Sequence, residues 1–194
     1  MISVKKVEGK KEFEEFIKFP WKIYKGNPYW VPPLITEVRE LLNTSKNPFW
    51  EHAQRELFLA KRNGEVVGRI ASIVDSNHNK IYNETIGFFG FFESVDDREV
   101  AFALLSTAEK WVKEKKMNVI RGPVNPSMND ECAFLLEGFD KPPAVMMPYT
   151  PPYYLKLAEN CGYYKAKDLY ALLKKREDGI PKRIVNMVEK ARKR

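Results

Sequence analysis

The sequence predicts an α/β domain in which a mixed sheet is flanked by helices, and three observations favour it. Strand-like and helix-like patterns alternate along most of the chain. The stretch "ETIGFFGFFESV" is apolar on both faces, as expected of a central strand covered by helices on each side. Asn63-Gly64 separates two strand-like runs, which is the strongest short signal for a hairpin.

The first elements follow from residue spacing. "ISVKKVE" is typical of a strand, and "KKEFEEFIKFPWKIY" of a helix that packs through Phe13, Phe16 and Ile17 and is interrupted at Pro20. "PPLITEVRELLN" predicts a second helix with prolines in its first turn. Its apolar face comprises Leu34, Val38, Leu41 and Leu42.

The hairpin "ELFLAKRNGEVVGRIASIVD" precedes the central strand. Gly87 and Gly90 in that strand indicate a bulge or a close backbone approach. "DDREVAFALLSTAEKWVKEK" then predicts a long helix, capped by Asp96 or Asp97. Its buried stripe is Val100, Leu104, Ala108 and Trp111.

Four elements remain. "NVIRGPV" predicts a fifth strand, and "PPYYLKLAENCG" a helix that ends at Gly162. "AKDLYALLKK" predicts a final strand. "IPKRIVNMVEKARKR" predicts a basic helix with Ile180, Ile184 and Val188 on one side.

Composition excludes several classes of protein. The 194 residues, with 44% apolar and 13% aromatic residues, can bury a core and do not describe a disordered chain. No apolar run approaches the roughly 18 residues that a membrane span needs, so no membrane partner is expected. Cys132 and Cys161 do not make a disulfide framework, which predicts a reduced, cytoplasmic location.

The positive charge is concentrated at one end. Residues 174–194 hold nine Lys or Arg against three Asp or Glu, a balance of +6 out of the total of +7, which leaves 7 − 6 = +1 for residues 1–173. A nucleic-acid enzyme usually spreads positive charge over a groove, so nucleic acid is not the expected partner.

A proline-rich segment from Gly122 to Tyr154 holds seven of the thirteen prolines. Proline stiffens a chain, whereas a flexible linker is rich in Gly and Ser, so we expect an ordered insertion after the fifth strand. Ser127 or Asn129 would cap a short helix through residues 134–136, with Glu131 in its first turn. The segment is either a structural cap or a site wall; its converging polar and aromatic residues favour the wall.

From about Ser3 to Lys175 the order and spacing of these elements resemble the GNAT fold of acyl-CoA N-acyltransferases. "RGPVNPSMNDECAFLLEGFDKPPAVMMPYTPPYY", "YWVPPL" and "FGFFES" look more closely like a group of uncharacterised bacterial GNAT-like proteins. We therefore predict a GNAT-like domain over residues 1–175. Residues 176–194 form a basic helix, which either ends a short member of the group or starts a second region.

The resemblance implies an enzyme that moves an acyl group from acetyl-CoA or another acyl-CoA to a small amine. The acyl arm would bind main-chain groups near Phe91, Phe92 and Glu93. The amine proton needs a base, for which Glu93, Asp130 and Glu131 are the candidates. The remaining substrate-binding residues that we predict are Asn125, Asn129, Tyr149 and Trp30, although Trp30 is equally suited to packing.

Two features depart from the family. Its glycine-rich pyrophosphate loop is replaced by the acidic "ESVDDREVA", where Arg98 is the only cationic contact for a cofactor. The family's acid, a tyrosine four residues before the Gly-aromatic pair, is Ala158 here; Tyr154 lies two turns away and is a substitute acid or a packed aromatic. The alternative function is thus a non-catalytic GNAT-like module that binds a small ligand or a protein.

Other sites are not predicted. The chain has two histidines, His52 and His78, and neither lies near a cysteine in sequence, so we expect no metal site. Cys132 fits a buried structural thiol better than a nucleophile.

Overall fold

A computed structural model describes residues 1–175, 177 and 179–192. The strands are β1 (Ile2–Lys6), β2 (Ala53–Arg62), β3 (Glu65–Asp75), β4 (Ile86–Ser94), β5 (Val119–Arg121), β6 (Val124–Asn125) and β7 (Glu131–Cys132). The helices are α1 (Gly9–Lys18), α2 (Pro20–Ile23), α3 (Ile35–Leu41), α4 (Ser76–Tyr82), α5 (Arg98–Glu114), α6 (Tyr153–Asn160) and α7 (Lys182–Arg192), with a 3₁₀ turn at Pro48–Glu51.

The main sheet has the order β1-β2-β3-β4-β5. Its first three pairings are antiparallel and β4 pairs with β5 in parallel, so the predicted mixed sheet is confirmed. The turn between β2 and β3 holds Asn63 at φ 51° and Gly64 at φ 84°. A two-residue hairpin turn of type I′ requires this left-handed conformation at both positions.

The two faces of the sheet carry separate apolar cores. On one face α5 and α6 cover Phe89 and Phe92 of β4. On the other face the core includes Phe16 of α1 together with Phe88 and Phe91 of β4. β4 is therefore covered by helices on both faces, as the sequence predicts, and the buried stripe of α5 is confirmed as well.

A β-bulge interrupts β4. Ala71 pairs with Gly90 and Arg69 with Glu93, so Phe91 and Phe92 both lie opposite Ile70. Phe91 adopts φ 48°, in the left-handed region. The bulge shifts the alternation of side chains along the rest of the strand.

β4 and β5 separate soon after they meet. Their ladder has three pairs, from Ile86 with Val119 to Phe88 with Arg121, whereas β4 continues to Ser94. After β5 the chain still passes close to β4, because a Cβ on Gly90 would lie 1.6 Å from the Val124 carbonyl oxygen. The strands are thus parted from Phe91 onward.

Several predictions from the sequence are wrong. Helix α4 was not expected, although Asp75 caps it through the N–H groups of Asn77 and His78. Leu34 does not belong to the apolar face of α3, since it precedes the helix and is exposed. The short helix predicted around Glu131 is the β6–β7 hairpin, since a Ser127–Asp130 turn reverses the chain.

The end of the chain also differs from expectation. Residues 163–175 have no regular secondary structure, so the predicted final strand is absent from the described part of the chain. β5, with three residues, offers only a short edge to a further strand. Helix α7 forms as predicted, with all of its described residues exposed.

A substitution at Gly90 tests how closely β4 passes the backbone at Val124. We expect Gly90→Ala to lower the free energy of unfolding by about 3 kcal/mol, because its Cβ would strike backbone that must move. Gly87→Ala is the matched control; its Cβ would meet the Val112 side chain at 2.6 Å, and we expect a loss of about 1 kcal/mol. Urea denaturation measures both, and an equal or smaller loss for Gly90→Ala would contradict the packing.

Candidate active site at the end of β4

A buried carboxylate lies where β4 leaves its neighbour. The Oε2 atom of Glu93 accepts hydrogen bonds from the hydroxyls of Tyr154, at 2.7 Å, and Tyr24, at 3.1 Å. Its Oε1 atom lies 3.5 Å from Nη2 of Arg69, and the two side chains are only 12% and 7% exposed. The site therefore contains an ion pair with two phenol donors, largely removed from water.

Arg69 holds this carboxylate from the neighbouring strand. Its Nη1 donates to the Phe16 carbonyl at 2.8 Å, near the end of α1, where the helix dipole favours a cation. The guanidinium carbon lies 5.0 Å from the centre of the Phe16 ring. Nε has no hydrogen-bond partner within the described residues, so the cation is incompletely satisfied.

Burial sets the protonation of this cluster. Loss of hydration raises the pKa of Glu93, and the Arg69 charge opposes that effect only in part. Burial lowers the pKa of Arg69. The pKa values of Tyr24 and Tyr154 are raised by burial first and then by the Glu93 charge, so both phenols remain hydrogen-bond donors.

The first helices and the proline-rich segment meet beside this cluster. Tyr24 stacks on Trp30 with ring centres 4.7 Å apart. The Tyr24 hydroxyl also lies 3.1 Å from the Tyr149 carbonyl oxygen, an acceptor that competes with Glu93 for its one proton. The Asn27 amide donates to the Tyr149 hydroxyl at 3.1 Å. Trp30, Tyr149 and Glu93 are thus brought together as neighbours of Tyr24.

A second polar group lies at the bulge. The N–H of Phe91 donates to Oδ1 of Asn125 at 2.6 Å instead of to a neighbouring strand. Asn125 pairs with Glu131 across the β6–β7 hairpin, so the two side chains are neighbours. Asn125 therefore lies between Glu131 and the bulge, since it pairs with the first and binds the N–H of the second.

The carboxyl group of Glu131 is accessible and perturbed. The residue as a whole is exposed, yet neighbouring atoms displace part of the hydration of its carboxyl, which raises its pKa. The polar side chain of Asn125 opposes this rise in the pKa of Glu131, and the nearby Asp130 charge adds to it. A carboxyl group with a raised pKa can take a proton nearer to neutral pH.

This geometry can be compared with solved structures. An aminoglycoside acetyltransferase from a soil metagenome, in complex with sisomicin, has a TM-score of 0.53 at 13% identity, covering 89% of this chain and 97% of that one. A putative acetyltransferase from Pyrococcus furiosus gives 0.51 at 19% identity, covering 90% and 99%. The chain has the GNAT fold. A tandem GNAT protein from clavulanic acid biosynthesis gives 0.52 at 12% identity, covering 84% of this chain and 43% of that one.

Two curated proteins match at higher identity. Protein YghO of Escherichia coli is 39% identical over 170 residues, and the bacterial ceramide synthase of Caulobacter vibrioides is 36% identical over 181. The matches cover 88% and 93% of this chain but 43% and 47% of those proteins, so the chain spans less than half of each. No protein-family model matches the sequence.

The start of α5 differs from the pyrophosphate site that the GNAT resemblance implies. Asp97 accepts hydrogen bonds from the N–H groups of Glu99 and Val100 and lies 2.7 Å from Nη2 of Arg62. The N–H groups that could bind phosphate are therefore occupied. Arg98, the predicted cationic contact, is exposed at the first position of this helix.

The remaining predicted residues have defined positions. The Ser127 hydroxyl donates to Asp130 at 2.6 Å and accepts from the Asn129 N–H, and Asn129 itself is exposed. Phe92 is buried against Tyr154, with ring centres 5.2 Å apart. The hydroxyl of the fully buried Tyr154 also accepts from the Ser94 N–H at 3.0 Å.

Sequence reasoning missed Arg69 and Tyr24. A signal for Arg69 existed, because one arginine within the apolar run "VVGRIASIV" predicts a buried cation that needs an anion. Tyr24 directly follows the short helix α2, and its sequence context did not distinguish it from other aromatics.

Among the described residues no group of three or more His, Cys, Asp or Glu could hold a metal ion, and no helix could span a membrane. A cavity of about 540 Å³ lies between Trp50 and Trp111. It lies at the opposite end of the sheet from Glu93, because its lining residue Ala53 pairs with the last residue of β3.

The ion pair makes a testable contribution to stability. We expect Arg69→Met to lower the free energy of unfolding by about 3–5 kcal/mol at neutral pH, because it leaves Glu93 buried without its cation. The substitution raises the folded-state pKa of Glu93 further above the unfolded value of about 4.3. Protonated Glu93 then favours the folded state, and that contribution is lost as the pH rises.

The loss should therefore be smaller at acidic pH, near the unfolded pKa, than at neutral pH. Urea denaturation across this range measures it. In a Glu93→Gln background the effect of Arg69→Met should no longer vary with pH over the same range. A loss that is independent of pH in the wild-type background would show that Glu93 does not depend on Arg69.

Proposed function

We propose that this chain is an N-acyltransferase domain that moves an acyl group from acyl-CoA to a primary amine. The observation that carries the proposal is the parting of β4 from β5, with the N–H of Phe91 bound by the side chain of Asn125. A side-chain amide can rotate away, and its oxygen occupies the position that we assign to the carbonyl oxygen of a bound thioester.

The reaction can be written with these groups. The amine nitrogen attacks the thioester carbon, and the negative charge that develops on the oxygen is stabilised by the Phe91 N–H. Glu131 takes a proton from the amine. The C–S bond then breaks, coenzyme A leaves as a thiolate, and the proton taken by Glu131 passes to that thiolate through solvent. The products are an amide and free coenzyme A.

Glu131 is better placed to act as the general base than the other two candidate carboxylates. Glu93 is largely buried and already accepts from two phenols beside a guanidinium, so an incoming amine has little access to it. Asp130 is bound by the Ser127 hydroxyl. Glu131 is exposed, has a raised pKa and is linked to the bulge through Asn125. In this scheme Glu93 and Tyr154 position β4 instead of transferring protons.

The acceptor that we propose is an amino alcohol with a long alkyl chain. The Caulobacter relative is named a bacterial ceramide synthase, and a ceramide is an N-acylated long-chain amino alcohol. An aromatic surface that could contact the alkyl chain lies beside the site. Trp30 stacks on Tyr24 there, and the Tyr149 ring contacts Tyr24 as well. The aminoglycoside of the GNAT neighbour represents a second, more polar acceptor class to be tested.

The alternative remains a non-catalytic GNAT-like binding module. The observation in its favour is Asp97, which occupies the N–H groups at the start of α5 and places negative charge where a diphosphate would lie. Under our proposal, donor binding relies on the main chain of β4 and on the acyl chain. Affinity should then depend on the length of the acyl chain more than on the nucleotide.

A melting-temperature series separates these functions. Saturating acyl-CoA at about a hundred times its Kd should stabilise the fold by about 2.7 kcal/mol, which corresponds to a rise of about 5–10 °C. We expect the largest rise with long acyl chains, and the smallest with coenzyme A alone, which is the control. If no acyl-CoA from acetyl to palmitoyl raises the melting temperature, the binding-module alternative is favoured.

The role of Glu131 is tested by turnover. With palmitoyl-CoA and a long-chain amino alcohol, Glu131→Gln should reduce the release of free thiol by about 10²–10⁴-fold while the melting shift with palmitoyl-CoA stays unchanged. Wild-type turnover should rise with pH through the raised pKa of Glu131. Glu137→Gln, an exposed carboxyl in the same proline-rich segment, is the matched control. Turnover of Glu131→Gln within twofold of wild type would exclude Glu131 as the base.

A further inference from the structure

Helix α7 exposes an apolar surface that the rest of the described chain does not cover. Ile184 is 50% exposed, Met187 61% and Val188 46%, and no described residue of the helix is buried. Isolated apolar residues on a surface are ordinary, but several on one helix indicate contact with another phase or molecule.

The apolar residues of α7 lie on one side. At about 100° per residue, the five apolar side chains span a sector of roughly 160°. They are Ile184, Val185, Met187, Val188 and Ala191. Lys182, Arg183, Asn186, Glu189 and Lys190 fall on the remaining side, and Arg192 lies at the edge of the apolar sector near the helix end. The helix is amphipathic, and its separation of faces is nearly complete.

The polar side is strongly basic. Four Lys or Arg accompany one Glu within the helix, a balance of 4 − 1 = +3. A helix with an exposed apolar side and a basic polar side is complementary to a surface with an apolar interior and anionic headgroups. A nucleic acid would match the charge but would leave the apolar side in water. A membrane surface rich in anionic lipid satisfies both sides.

We propose that α7 binds the surface of an anionic lipid bilayer, lying in the plane of the headgroups with its apolar side inserted. The helix does not span the bilayer, since no helix among the described residues is long and apolar enough to do so. The absence of a long apolar run in the sequence excludes a spanning segment but not a helix that lies on the membrane surface. An eleven-residue helix predicts weak, reversible and salt-sensitive binding.

Binding to the membrane surface would also bring the domain to its proposed acceptor, a long-chain amino alcohol that resides in membranes. The inference does not depend on that function, because vesicle binding is measured without acyl transfer. Conversely, the melting shift with palmitoyl-CoA should be the same in variants of α7 as in wild type. A failure of either proposal is therefore distinguishable from a failure of the other.

Vesicle co-sedimentation of the whole chain tests the proposal. We expect binding to phosphatidylcholine vesicles that contain about 30 mol % phosphatidylglycerol, little binding to pure phosphatidylcholine, and release at high salt. Ile184→Ser/Val188→Ser should abolish binding. Lys182→Gln/Arg183→Gln should weaken it by about fivefold for each charge removed. Ile81→Ser/Phe102→Ser removes two exposed apolar side chains elsewhere and should leave binding unchanged.

Folding does not confound these variants, because α7 buries no side chain and an unchanged melting temperature verifies it. Three results would overturn the proposal: no binding to the anionic vesicles, equal binding by Ile184→Ser/Val188→Ser, or a wild-type oligomer that this double variant dissociates. The last result would identify the apolar side as a contact between copies. Binding to RNA that persists in Ile184→Ser/Val188→Ser, without binding to vesicles, would assign the basic side to nucleic acid.

Discussion

The bulge in β4 is the constraint on which the rest of the site depends. Without it, the odd-numbered residues of the strand would all face α5, as Phe89 does. Because Phe91 and Phe92 share one partner, Phe91 instead lies in the core beside α1, and Glu93, two residues later, faces the same way toward Arg69. One extra residue thus places a carboxylate against a buried guanidinium and frees the Phe91 N–H from the ladder.

The burial of Arg69 and Glu93 favours one arrangement of the fold more than it adds net stability. Taking two charges out of water costs about as much as their attraction returns, and Nε of Arg69 has no partner among the residues that the structure describes. The ion pair forms only when β3 and β4 are in the correct register, because a slip of one strand against the other would leave both charges buried without a partner. Tyr24 and Tyr154 extend that requirement to α2 and α6, since both hydroxyls meet at the same oxygen.

Residue spacing within short segments predicted those parts of the fold that depend on interactions between neighbours in sequence. The Asn63-Gly64 turn, the buried stripe of α5 and the apolar character of β4 on both faces follow from spacing alone. The β6–β7 hairpin did not, because its formation depends on a turn at Ser127 and on cross-strand contact between Asn125 and Glu131, which no periodicity reports. Three of the residues named from the sequence, Glu93, Tyr149 and Trp30, are neighbours of Tyr24. The cation that holds Glu93 comes from a strand whose pattern is otherwise apolar, so it was not predicted.

If the donor binds through the main chain, as we propose, the function is harder to predict from the sequence than the fold. A thioester that binds the Phe91 N–H would need no particular side chain, so such a donor site would leave almost no trace in the sequence. In the structure Asn125 holds that N–H and also lowers the pKa of Glu131. If a thioester carbonyl displaces the Asn125 side chain, Glu131 loses this polar neighbour, and its pKa rises further toward the value that suits a base near neutral pH. Binding of the donor would then prepare the carboxylate for the amine, and one asparagine would couple the two steps.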